Sequence, residues 1–244
     1  TANDPKAREY ALERSKKAID IAKVLGTPNI VLWPAREGFY VNESKDHRLA
    51  AERFVAAVDV MLSYDQGIRS LGEMKPNEPM DHAYLPTTGH FLSICYLASD
   101  PSRVGVLIET AHALLAGLDP ACEMAFALYH QRLWSVHLND QNGMKFDEDR
   151  IFGAMNLKRA FDQVMVLHDN DYGANGEFVG LDVKALRTQG DEVATHHLSH
   201  SREIFLMLLE VVKKTDRKRL AELRAARNYE DLELFVIKNL MGKA

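Results

Sequence analysis

Cysteine is nearly missing from this chain of 244 residues, which has only two, Cys95 and Cys122. Each sits in an apolar helical pattern and neither has a metal-ligand spacing, which excludes a disulfide framework and a thiolate metal centre. Buried, inert thiols in a reducing cytoplasm are expected. Also missing is any run of about 18 uncharged apolar residues, so no membrane span is expected. Positive charge is not in excess. With 30 Lys and Arg against 35 Asp and Glu, the formal charge is −5 and gives no electrostatic footprint for nucleic acid. The sequence opens on Thr1, with no initiator Met and no basic-then-apolar signal, so it reads as a cut chain. What remains is ordinary globular composition, 46% hydrophobic and 27% charged, long enough for a sizeable core. A soluble protein acting on a small molecule is the expectation.

What is present is an alternation. Helical spacing of apolar and Ala positions runs from Pro5 to Leu25 and stops at Gly26-Thr27-Pro28. Asn29–Trp33 is a short apolar run of the kind found in a parallel strand buried on both faces. The unit then repeats: helix Asp46–Tyr64 and strand Ile68–Glu73; helix Thr87–Ala98 and strand Val104–Ile108; helix Pro120–Gln131 and strand Leu133–Leu138; helix Leu157–His168 and strand Phe178–Asp182. A long helix through Glu192–Lys213 and a charged helical tail close the chain. Such alternation implies right-handed parallel units, in an α/β barrel or an open doubly wound sheet.

Ionisable residues collect where these strands end: Arg36 and Glu37, Glu73 and Lys75, Glu109 and His112, His137, and Asp182 and Lys184. Both candidate architectures build their sites at C-terminal strand ends. Glu73 and Asp182 each close an apolar strand, where an uncompensated carboxylate is costly unless it meets a cation. Glu109 and His112 stand at i and i+3, and the loop after His137 carries Asp147-Glu148-Asp149. Carboxylates with two imidazoles suit Mg²⁺, Mn²⁺ or Co²⁺, and the ligand count allows a two-metal site sharing Glu109. Lys75 and Lys184 would balance the carboxylates or polarise a substrate oxygen. His196, His197 and His200 lie in the long helix after the last strand and read as surface or core histidines.

Several stretches, in order, carry a resemblance: Val31-Leu32-Trp33-Pro34-Ala35-Arg36-Glu37-Gly38, Lys75-Pro76-Asn77-Glu78-Pro79, Pro86-Thr87-Thr88-Gly89-His90, and Gln141–Asp149. From about Asn3 to Arg187 the chain resembles bacterial xylose isomerase. The resemblance implies a partial (β/α)8 TIM barrel comprising family strands 4 to 8, with 1–213 as the barrel portion and 214–244 as a helical tail. It implies two divalent metal ions: one held by Glu73, Glu109, His137 and Asp182, the other by Glu109, His112, Asp147 and Asp149. Catalytic roles fall to Lys75 and Asp149, and sugar contacts to Trp33, Lys75, Glu73 and His112. The implied activity is aldose–ketose isomerisation by a 1,2-hydride shift, an intramolecular oxidoreduction in a cytoplasmic homo-oligomer.

Departures accompany the match. The family usually has Asp where this chain has His137, a substitution that resembles the rhamnose isomerase branch of the same superfamily. Pro34-Ala35 replaces a usual Gly pair, and the family's first three strands have no counterpart here. Two other readings compete: a metal-dependent hydrolase of the apurinic endonuclease type, whose DNA substrate the charge of −5 disfavours, and a non-catalytic sugar- or metal-binding remnant.

Overall fold

The computed structural model describes residues 1–243. They form two compact units, the first made of Thr1–His137, Gly143–Asp147 and Phe178–Gly180, the second of Leu138–Asn142, Glu148–Glu177 and the chain from Leu181 onward. In chain order the elements are α1 (Pro5–Leu25), β1 (Asn29–Leu32), β2 (Gly38–Phe39), α2 (His47–Tyr64), β3 (Arg69–Glu73), β4 (His82–Ala83), α3 (Thr88–Leu97), β5 (Val104–Glu109), α4 (Thr110–Leu115), α5 (Pro120–Tyr129) and β6 (Leu133–Leu138). They are followed by α6 (Leu157–Asp169), β7 (Phe178–Leu181), α7 (His196–Lys214), α8 (Arg217–Ala226) and α9 (Tyr229–Leu240).

Local signals set most helix starts. Asp4 caps α1 by accepting from Lys6 N ahead of Pro5, and Gly26 ends the helix in the left-handed region at φ +71°. Asp46, Thr87, Asp119 and Asn156 cap α2, α3, α5 and α6 in the same way, each accepting a first-turn amide. These side chains satisfy donors that the helix itself cannot.

A five-stranded sheet runs in the order β1-β3-β5-β6-β7, and the pairs β1–β3, β3–β5 and β5–β6 are parallel. Every residue of the central strand β5 is buried, the state expected of a parallel strand covered on both faces. Helix α3 packs on β3 through Phe91, whose ring leaves no room for a side chain at Gly72: a Cβ there would lie 1.8 Å from the ring. Gly105 on β5 plays the same part for Trp134, whose ring carbons would lie 2.4 Å from a Cβ. The sheet thus presents an α/β partial barrel with helices packed on its strands, as expected.

Three expectations need correction. β1 is an edge strand, and Val31 is 46% exposed rather than buried on both faces. Cys95 is buried, and burial pushes its thiol up to about 12, whereas Cys122 is exposed on α5. α7 begins at His196, after a separate 3-10 turn at Asp191–Val193, rather than at Glu192. The antiparallel pair β2–β4 was not visible in the sequence, because two-residue strands carry no periodic signal.

In the second unit, α6 buries Phe161, Val164, Met165 and Leu167 and packs against α7, while α9 contacts α6, α7 and α8. The Phe152 and Phe205 rings meet at 6.4 Å, tilted by 48°, and Ser201 Oγ accepts from Phe152 N.

Candidate metal centre

Strand register brings the first unit's candidate ligands together. Parallel pairing sets Glu109 of β5 beside His137 of β6, and Glu73 of β3 beside Leu107, one pleat back on the same face. One ligand atom from each of Glu73, Glu109 and His137 lies within 4.8 Å of the others, and the same holds for Glu109, His112 and Asp147. Glu109 is common to both sets. Glu73, Glu109 and His112 are buried, at 6%, 1% and 1% exposure. Gly180 of β7 lets the backbone approach the His137 ring, since a Cβ there would lie 2.8 Å from its Cδ2.

His112 supplies a test of whether a metal fits. Its Nε2 meets Asp147 Oδ2 at 3.2 Å. Its Nδ1 lies 3.3 Å from Glu109 Oε2 and 3.5 Å from Glu73 Oε1 but makes no hydrogen bond. A buried imidazole nitrogen among carboxylates, without a hydrogen bond, is the arrangement that a divalent cation with oxygen and nitrogen ligands satisfies. The residues present fit such an ion.

Lys75 stands beside this group. It is 4% exposed, its Nζ donates to Asp147 Oδ2 at 2.8 Å, and its ammonium lies 5.3 Å from the centre of the half-exposed Trp33 ring. Burial alone would raise the Asp147 carboxyl. Hydrogen bonds from His112 and Lys75, with their charges, outweigh burial and hold it well below the usual carboxylate range. Glu78 was not singled out from the sequence, yet its Oε2 accepts from Asp147 N at 2.9 Å and lies 3.6 Å from Lys75 Nζ. Its φ of +57°, unusual for a non-glycine residue, is a feature of the folded loop and not of composition.

The remaining candidates belong to the second unit. Asp149 receives Lys184 Nζ at 2.7 Å and Asn139 Nδ2 at 3.3 Å, and the same Asn139 amide donates to the Asp182 carbonyl at 3.0 Å. Asn139, also overlooked in the sequence, therefore ties the Asp149 and Asp182 segments together. Its buried neighbour Asp140 accepts from Gln141 N, Met155 N and Asn156 N and orders the loop.

The Lys75–Asp147 pair yields a pH prediction. Asp147→Asn leaves a buried ammonium without its nearest anion and should lower metal-free stability at pH 7 by roughly 3 kcal/mol. Because the folded carboxyl is depressed, the wild-type advantage is complete above the unfolded value of about 3.9 and is lost as pH falls toward the depressed folded one. Urea denaturation at pH 7, 5 and 3 should show the gap between variant and wild type closing only at the lowest pH. A gap unchanged at pH 3 would contradict the assignment.

Comparison with known proteins bears on the fold and the family. Residues 1–179 match the family described as xylose isomerase-like TIM barrel. Xylose isomerase of Thermus thermophilus is 37% identical over 196 residues, 79% of this chain and 50% of that protein, so the chain spans about half the length of this curated relative. A D-tagatose 3-epimerase-like protein superposes with a TM-score of 0.69 at 18% identity, covering 87% of this chain and 73% of the other. A xylose isomerase domain protein from Alicyclobacillus acidocaldarius gives 0.59 at 16% identity, covering 86% and 74%. At such identities the structural likenesses speak for the fold, and the sequence match, which spans most of the chain, speaks for descent: this chain belongs to the xylose isomerase-like TIM barrel family.

Proposed function

We propose that this chain carries the metal- and sugar-binding half of an aldose–ketose isomerase that works by a 1,2-hydride shift. The observation that carries the reading is the pair of ligand sets sharing Glu109, with Lys75 held beside them by Asp147. In this reading Glu73, Glu109 and His137 contribute to one divalent ion, and Glu109, His112 and Asp147 to another. The resemblance in sequence adds Asp182 to the first set and Asp149 to the second, each to be tested by substitution. When bound, Mg²⁺, Mn²⁺ or Co²⁺ supplies Lewis-acid polarisation and a template for sugar oxygens.

The chain's own groups do the rest. Lys75, fixed by Asp147 and by the Trp33 face, donates a hydrogen bond to the carbonyl oxygen of the open-chain sugar, where negative charge develops. Trp33 walls the sugar and excludes water. The hydrogen on C2 moves to C1 with its electron pair, while one proton passes from the C2 hydroxyl to the C1 oxygen, so atoms and charge balance without a nicotinamide.

Aldoses deuterated at C2, incubated with the protein and Mn²⁺, test this directly. A hydride shift delivers the label to C1 of the ketose. Label lost to water would point to an enediol route, and no conversion by the complete gene product with added metal to a binding remnant.

His137 makes a further prediction. It replaces an anionic ligand with neutral imidazole, so the site should favour Mn²⁺ or Co²⁺ over Mg²⁺, and His137→Asp should move preference toward Mg²⁺. Metal affinity of the His form should weaken in acid, because a ligating imidazole must be deprotonated, whereas the Asp form should persist to lower pH. Calorimetric titrations at pH 5.5 and 8 would show identical metal ratios and pH profiles if His137 were not a ligand.

A further inference from the structure

Away from the strand ends, the second unit carries a histidine arrangement that the proposed isomerase chemistry does not use. α7 opens with His196 and carries His200 one turn later, at i and i+4 on one helical face. Both residues are exposed, and their ring centres are 5.2 Å apart at an interplanar angle of 52°. Two imidazoles bound tetrahedrally to one ion at the usual metal–nitrogen distance of about 2.0–2.1 Å place their ring centres about 5 Å apart. The two rings therefore stand at a separation compatible with chelation. Among the described residues, no side chain hydrogen-bonds to either ring. Glu203 follows at i+3 from His200 and i+7 from His196, on the same face.

We infer that His196 and His200 form a bidentate site for a late first-row divalent cation, with Cu²⁺, Ni²⁺ and Zn²⁺ as its class. Imidazole ligands select these ions over Mg²⁺ and Ca²⁺, and affinity follows the Irving–Williams order with Cu²⁺ tightest. The site thus differs in kind from the carboxylate-rich strand-end centre. The positive end of the helix dipole opposes a cation in the first turn, while a chelate gains because its second imidazole binds intramolecularly. Binding clamps the start of α7, the turn most prone to fray.

Calorimetric titration with nickel chloride tests the site on the intact chain. A Ni²⁺ binding event with no Mg²⁺ counterpart is expected. His200→Asn should weaken it at least roughly tenfold by removing the chelate, as should His196→Asn, whereas His112→Asn should leave it intact. Glu203→His in the His196→Asn background should restore binding, because residues 200 and 203 share the face. Both positions are exposed, so these variants should fold as the parent does. A His200→Asn isotherm that superposes on the wild type, or a Ni²⁺ event lost with His112→Asn alone, would overturn the assignment.

Discussion

Glu109→Gln should abolish most of the stabilisation that Mn²⁺ gives this protein, with little change in the metal-free fold. Gln keeps the shape of the side chain while removing the charged oxygen that both ligand sets share. Metal that binds only the native state raises stability by about 2.7 kcal/mol at a concentration 100 times its dissociation constant. Loss of a directly coordinating carboxylate should weaken binding by roughly 100-fold or more, the upper end of what outer-shell changes alone produce. At the same Mn²⁺ concentration the gain then falls to about 0.4 kcal/mol. Thermal unfolding with and without Mn²⁺ reads this as a near-complete loss of the metal-induced rise in Tm. A variant that still showed the wild-type rise would remove Glu109 from the centre, and with it the shared-ligand reading.

Phe91→Ala should be the most destabilising single change considered, at about 3–5 kcal/mol. The ring is fully buried, meets Phe54 edge-on at 6.1 Å, and fills the space over Gly72 between α3 and β3. That loss is a large share of a typical total stability of about 5–15 kcal/mol. Gly72→Ala fails for the opposite reason: its methyl would lie 1.8 Å from the ring, and overpacking of this kind costs roughly 1–3 kcal/mol. The two changes should couple, because a Cβ at position 72 occupies part of the cavity left by Phe91→Ala. The double variant should then be more stable than the two losses added, by about 0.5–3 kcal/mol. Gly72 precedes Glu73 on β3, so Gly72→Ala should also blunt the Mn²⁺ response. Chemical denaturation of the four proteins measures the coupling, and strictly additive losses would show that ring and backbone do not compete for one space.

The strand and helix alternation was legible because its signals are local. Buried parallel strands such as Val104–Glu109 read as unbroken apolar runs, and capping residues such as Asp46 and Thr87 sit directly before the helices they start. The strand-end ionisable residues were legible as well, since each closes an element whose end the pattern already marks. The exposure of β1 was not: Asn29–Leu32 has the composition of a strand buried on both faces, and exposure depends on which neighbours the topology supplies. Nor was the exposure of Cys122, because an apolar helical pattern does not tell which face meets solvent at a single position.

By itself, then, the sequence determined the order of elements, the polarity of the strand ends and the family to which they belong, since each is encoded in residues near one another along the chain. Tertiary structure alone decided which of those residues act together. Lys75 and Asp147 are 72 positions apart, yet they share one hydrogen bond. Glu109 faces His137 only because of the β5–β6 register, and a one-residue slip would send one of the two side chains to the opposite face. Asp147 owes its lowered carboxyl to hydrogen bonds from His112 and Lys75, side chains contributed by distant elements. Side-chain chemistry travels with the residue, but distance, burial and field come from packing.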